Sequence, residues 1–108
     1  MTVAEYRADM VNPKETRAMG IFQLAFMDGG LGTKSNISFN IVNYGRNYRI
    51  QVGYSENRSF VRVGETTNIP IPEGWSLERV AQEELRLPGD SVDIFLEGRL
   101  FRESKKSN

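Results

Sequence analysis

The sequence predicts an α+β fold, a mostly antiparallel β-sheet with one helix near residues 76–87; the alternative is an all-β sandwich or barrel. Three observations carry this expectation. Apolar and polar residues alternate with period two through Asn36–Tyr44 and again through Tyr48–Tyr54, on either side of Gly45-Arg46-Asn47. Pro70 and Pro72 mark an extended segment that cannot donate to a ladder on one side. A single segment, from Ser76 to Arg86, combines helical spacing with start and stop signals.

Taken in order, residues 3–11 form a short helix or an arm, stopped by Asn12-Pro13. Gly20–Met27, GIFQLAFM, is dense in aromatic and branched residues and is expected to be a buried strand. The loop FMDGGLGTKSN invites comparison with a phosphate-binding loop. Such a loop needs glycine before Lys34-Ser35 and a helix after it; here Thr33 precedes, and a strand pattern follows. Its glycines are expected to supply the positive φ of a hairpin connection. In Asn36–Tyr44, Ile37, Phe39 and Ile41 face one way and Ser38 and Asn40 the other. Tyr48, Ile50, Val52 and Tyr54 form the inward face of the next strand, with Arg49 and Gln51 opposite. After a turn at Ser55–Asn57 comes a strand at Ser59–Val63, then the edge segment TNIPIP. Ser76 is the expected N-cap, with Trp75 and Val80 at the spacing of a hydrophobic staple; Arg79 occupies the place a capping box would give to Glu or Gln. Leu77, Val80, Ala81 and Leu85 share a helical face, Glu78 and Arg86 suit the helix dipole, and Pro88-Gly89 ends the helix. Ser91–Leu96, the turn Glu97-Gly98 and Arg99–Arg102 complete the sheet, followed by a polar tail at 104–108.

The chain of 108 residues is expected to be a single domain, with residues 1–19 an arm or short helix. It contains neither cysteine nor histidine. Disulfides, thiolate metal sites, thiol catalysis, imidazole acid–base chemistry and His-ligated metals are thereby excluded. The charged N-terminal twenty residues lack a signal-peptide core, and no apolar run approaches the roughly 18 residues of a membrane span, so a cytoplasmic protein is expected. A formal net charge of zero conceals an asymmetry: net +4 from Lys34 to Arg62, −6 from Glu65 to Glu97, and +3 from Arg99 to the end. Either the basic stretch is a binding face or the two halves lie side by side and compensate.

The order strand, strand, helix, strand, turn, short strand over residues 60–103, with the phrase IPIPEGWSLERVAQEELRLPGDSVDIFLEGRLFRE, resembles the β-grasp or ubiquitin-like proteins, in particular the small sulfur carriers. Members that carry sulfur or are conjugated act through a C-terminal Gly-Gly; this chain ends Ser107-Asn108, so the resemblance implies a rigid partner-binding sheet rather than thiocarboxylate chemistry. The stretch LRLPGDSVDIFLEGRLFRE is also similar to the second half of swapped-hairpin DNA-binding domains, which use a shorter helix. IPEGWSLERVAQ is similar to the start of a LysM repeat, whose second helix is missing here.

No catalytic residue is assigned, and neither a metal nor a cofactor is expected. The acids Glu78, Glu83, Glu84, Asp90 and Asp93 lack the spacing of a calcium loop and are read as a solvated surface. Residues 44–62 hold four arginines and four aromatics with no lysine and a single glutamate, which is the composition that interface centres favour. The expectation is a small non-enzymatic protein–protein binding module (an adaptor, inhibitor or assembly accessory). It would grip another protein or a second copy through Tyr44, Arg46, Arg49, Arg58 and Arg62. The alternative is single-stranded nucleic-acid binding by the same ribbon, rings stacking on bases and arginines holding phosphates. In the plainer reading Tyr48 and Tyr54 belong to the core and the arginines merely keep one face wet.

Overall fold

The parallel pairing of two strands far apart in sequence organises the molecule. A computed structural model describes residues 17–27, 29, 31, 36–85 and 92–103. The expectations for residues 3–11, for most of the glycine-containing loop at 28–35, for Pro88-Gly89 and for the tail at 104–108 lie outside the described residues. The elements are α1 (Arg17–Met27), β1 (Ile37–Tyr44), β2 (Asn47–Glu56), β3 (Ser59–Glu65), β4 (Ile69–Pro70), α2 (Leu77–Glu84), β5 (Asp93–Leu96) and β6 (Arg99–Arg102). They build a six-stranded sheet of order β3-β2-β1-β5-β6, with β4 also on β2. All pairings are antiparallel except that of β1 with β5. The parallel pair sits at the centre of the sheet, where side chains on both faces are buried. Every residue from Ile37 to Ile41 is buried, Ser38 and Asn40 included, as are Ile94 and Phe95.

In the hairpin β1–β2, Phe39 faces Val52 and Ile41 faces Ile50; the turn is the two residues Gly45-Arg46, one shorter than expected, because Asn47 already pairs with Tyr44. Gly45 takes φ +68°, the positive value that tight hairpin turns require. Ile37, Phe39, Ile41, Tyr48, Ile50, Val52 and Ile94 form the core face. Tyr54, beyond a bulge at Val52/Gly53, is half-buried. The segment around Pro70 is an edge, as its prolines indicate. β3 and β4 lie successively along the same side of β2, and Thr66 Oγ1 between them accepts from the Ile50 N–H at 3.1 Å.

One element differs from expectation. Residues 20–27 are not a strand but the second part of α1. Ile21, Phe22 and Ala25 are buried, whereas Leu24 is 63% and Met27 78% exposed. That is the spacing of a helix with one face down, not of a strand buried on both sides. Leu, Ala, Met and Gln are strong helix formers, and only Ile21 in the segment is β-branched. α1 packs on β2 and β3, while α2 packs on β5 and β1. α2 itself begins as expected: Ser76 is extended, and its side chain accepts from the Arg79 N–H at 3.1 Å. Val80, Ala81 and Leu85 are buried in the core, with Leu77 and Trp75 half-buried against it. Both helices therefore contribute to one core cluster, leaving the opposite face of the sheet free of helices among the described residues. No described helix is long and apolar enough to cross a membrane.

Candidate functional site

The helix-free face carries most of the side chains that the sequence singles out. Its backbone is laid down by the alternation of β1, β2 and β3, which sends Asn40, Tyr44, Arg49, Gln51, Arg62 and Glu65 to this side. A chain of hydrogen bonds crosses it. The Gly98 N–H donates to Asn40 Oδ1 at 3.0 Å, Asn40 Nδ2 to Gln51 Oε1 at 2.9 Å, and Gln51 Nε2 to Glu65 Oε1 at 3.0 Å. The other carboxylate oxygen of Glu65 accepts from Arg49 Nη1 at 2.8 Å and lies 3.4 Å from Arg62 Nη1. Asn40 is only 4% exposed, so both ends of its amide must be satisfied, and they are.

This network fixes an arginine against an aromatic ring. Arg49 donates its Nε to Asn68 Oδ1 at 2.6 Å, and its guanidinium lies over the Tyr44 ring, 4.4 Å from the centroid. Tyr44 is 45% exposed, so the pair is presented outward while Arg49 is held from behind. The carboxyl of Glu65 is held below its usual 4.5. The hydrogen bond from Gln51 is the largest cause, burial opposes it, and the hydrogen bond and charge of Arg49 and the charge of Arg62 add to it.

The five candidate contact residues do not form one patch. Tyr44, Arg49 and Arg62 are gathered on the helix-free face around Glu65. Arg58 lies at the far end of the same face: it occupies the β2–β3 turn at φ +63°, after Asn57 at +52°, and pairs with Glu103 at 3.2 Å. There the outer strands β3 and β6 approach each other, Phe60 and Phe95 meet with ring centroids 5.5 Å apart, and a groove of about 240 Å³ opens beside Ser55, Asp93 and Leu100. Arg46 belongs to neither place. It is in the β1–β2 turn and lines a second groove with Ile71, Pro72 and Trp75. Arg46 and Arg58 flank the ten residues of β2, a span of up to roughly 30 Å at the rise of an antiparallel strand.

Sequence reasoning misses the partners that organise the site. Glu65 reads as the start of the acidic block, and Asn40, Gln51 and Asn68 carry no signal of their own. Counting back from the β2–β3 turn would set Gln51 opposite Gly64. The bulge at Val52/Gly53 shifts the register so that Gln51 faces Glu65. Among the described residues no three His, Cys, Asp or Glu side chains come together as a metal-binding group. No protein-family model, curated protein or solved structure matches the chain.

Proposed function

We propose that this chain is a small non-enzymatic protein-binding module whose contact surface is the helix-free face of the sheet around Tyr44, Arg49 and Arg62. The observation that carries this reading is the outward-facing Tyr44–Arg49 stack, pinned by Asn68 and Glu65. An arginine and an aromatic already held in place lose little side-chain freedom on binding, and these residue types dominate binding energy at interface centres. The β-grasp likeness of residues 60–103 belongs to the same proposal. What supports it starts upstream of residue 60: β3 and β4 pair with β2 rather than with each other, so the order that fits is the hairpin β1–β2 over residues 37–56, then α2, then β5 lying parallel beside β1. The group's partner-binding role is what such a sheet would supply.

The ribbon's alternative role, holding single-stranded nucleic acid, draws on the same exposed Tyr44. Glu65, however, places one carboxylate between Arg49 and Arg62 and weakens the positive field that phosphates require. Protein binding is therefore the preferred reading.

The test is a double substitution, Tyr44→Ala with Arg62→Ala. Arg49 is left in place, since reversing or removing its charge would also unseat Glu65. Folding is checked by circular dichroism. Self-association is read by light scattering, and partner retention by pull-down from native lysate. Loss of the retained species or of the oligomer supports the face as the contact. A folded variant that keeps both unchanged would show the face to be merely solvated. Single-stranded DNA or RNA binding at low salt, falling log-linearly as salt is added, would move the conclusion to the nucleic-acid reading.

A further inference from the structure

We infer that the groove between the β1–β2 turn and the loop entering α2 is a second docking site, for an extended peptide segment bearing a carboxylate next to a large apolar side chain. This goes beyond the contact face proposed above, because Tyr44, Arg49 and Arg62 do not line this groove. Its volume is about 540 Å³, within the range of roughly 300–1,000 Å³ typical of binding clefts. One wall is apolar: Ile71, Pro72 and the half-buried Trp75. Ile71 and Trp75 pack against the core from behind, so this wall is anchored. The rim is fixed as well, since Ile71 N–H donates to the Arg46 carbonyl at 2.9 Å and Trp75 N–H to the Pro72 carbonyl at 3.0 Å. Arg79 lies over the Trp75 ring, 4.2 Å from its centroid, and holds the ring in place. At Gly74 a Cβ would meet nothing within 4 Å, which leaves the backbone there open to an approaching chain.

The charge at the mouth selects the ligand. Arg49, Arg58 and Arg62 each lie against a carboxylate, whereas exposed Arg46 makes no ion pair or side-chain hydrogen bond among the described residues. A guanidinium beside an apolar wall is complemented by a carboxylate, which it can bind through two parallel hydrogen bonds. Glu73 lines the same groove. Its negative charge disfavours a run of phosphates, and equally a run of acids, while its oxygens can accept a peptide N–H, so the groove suits a peptide with a single carboxylate for Arg46 better than a nucleic acid.

The probe is a phage-displayed library of random seven-residue peptides, selected on the intact protein and counter-selected on Arg46→Gln. The Arg46 side chain holds no other group among the described residues, so this variant is expected to fold, as circular dichroism will show. Enriched sequences are expected to place Asp or Glu within two positions of Phe, Trp, Leu or Ile. An enriched peptide free of tryptophan, synthesised, should change the emission of Trp75, the single tryptophan of the chain, in a saturable way. Arg46→Gln should weaken that binding about tenfold, the scale of one charge-assisted hydrogen bond. Tyr44→Ala with Arg62→Ala should leave it unchanged, which separates this site from the face above. No enrichment, enriched peptides without acids, or equal affinity for Arg46→Gln would overturn the proposal. So would an oligothymidylate that saturates the Trp75 signal more tightly than the peptide.

Discussion

Gly53 lies so close beneath Val61 of the neighbouring strand that a Cβ at residue 53 would sit 1.8 Å from the Val61 carbonyl oxygen and 2.9 Å from its carbon. The contact falls at the bulge where β2 and β3 change register. The obstacle is backbone, not the end of a mobile side chain, so no rotamer change relieves it. Gly53→Ala should cost about 3 kcal/mol or more, at or above the upper end of ordinary overpacking, read as a lower urea midpoint. Gly20 provides the opposite case. It is an exposed position inside α1, and a methyl added there would meet nothing within 4 Å. Gly20→Ala should therefore stabilise by up to about 1 kcal/mol. If both substitutions shift the midpoint equally, the close approach at Gly53 does not constrain the sheet.

Glu65 should make stability depend on pH in acid. Its folded pKa is lowered from 4.5, first by the Gln51 hydrogen bond and then by Arg49 and Arg62, against the opposing effect of burial. A lowered carboxyl pKa contributes stability that is complete above the ordinary range and is lost as pH falls through the folded value. Glu65→Gln should therefore be less stable than the parent by about 1–2 kcal/mol at pH 7, given the worth of hydrogen bonds to a charged group. The gap should narrow below pH 4.5. Urea melts of both proteins between neutrality and strong acid decide it. A gap that stays constant would mean that the charge of Glu65 contributes nothing and that only the loss of one acceptor oxygen matters.

The legible parts of this fold are those fixed by local rules. The glycine after Tyr44 marks the turn that joins β1 to β2, though Asn47 belongs to the strand and not to the turn, and alternation places Ile37, Phe39, Ile41, Ile50 and Val52 in the core. The edge segment around Pro70 and the N-cap at Ser76 follow from what proline and serine can and cannot bond. What stays hidden is tertiary. A short apolar run such as GIFQLAFM satisfies both a buried strand and a helix, and the sheet surface it covers decides between them. The site is hidden for a related reason. Composition alone can name Tyr44 and Arg62, but their grouping depends on Glu65 arriving opposite Gln51, one place out of the simple hairpin count. Sequence proximity groups Arg46 and Arg58 with them, although the length of β2 sets those two at opposite ends.

Trp75 and Arg79 show how the start of α2 replaces a missing cap partner, and the pair can be measured. Arg79 stands three residues after the N-cap Ser76, where an acidic or amide side chain would return a hydrogen bond to the cap N–H. Arginine has no acceptor with which to do so. A cation in the first turn also opposes the helix dipole. Instead its guanidinium folds back over Trp75, 4.2 Å from the ring centroid, while the ring packs against the core. The single substitutions will mix these effects. Trp75→Ala should cost about 2–3 kcal/mol, below the value for a fully buried ring because Trp75 is only half-buried. Arg79→Ala loses the stack but relieves the unfavourable charge, so its net change should be within about 0.5 kcal/mol. The double-mutant cycle removes the shared terms and should return a coupling of about 0.5–1 kcal/mol, the worth of an exposed cation–π pair. That coupling should persist in high salt, unlike an exposed ion pair screened by ions. A coupling near zero would mean that Arg79 only passes over the ring, leaving Ser76 and the buried face of α2 to fix the start of the helix.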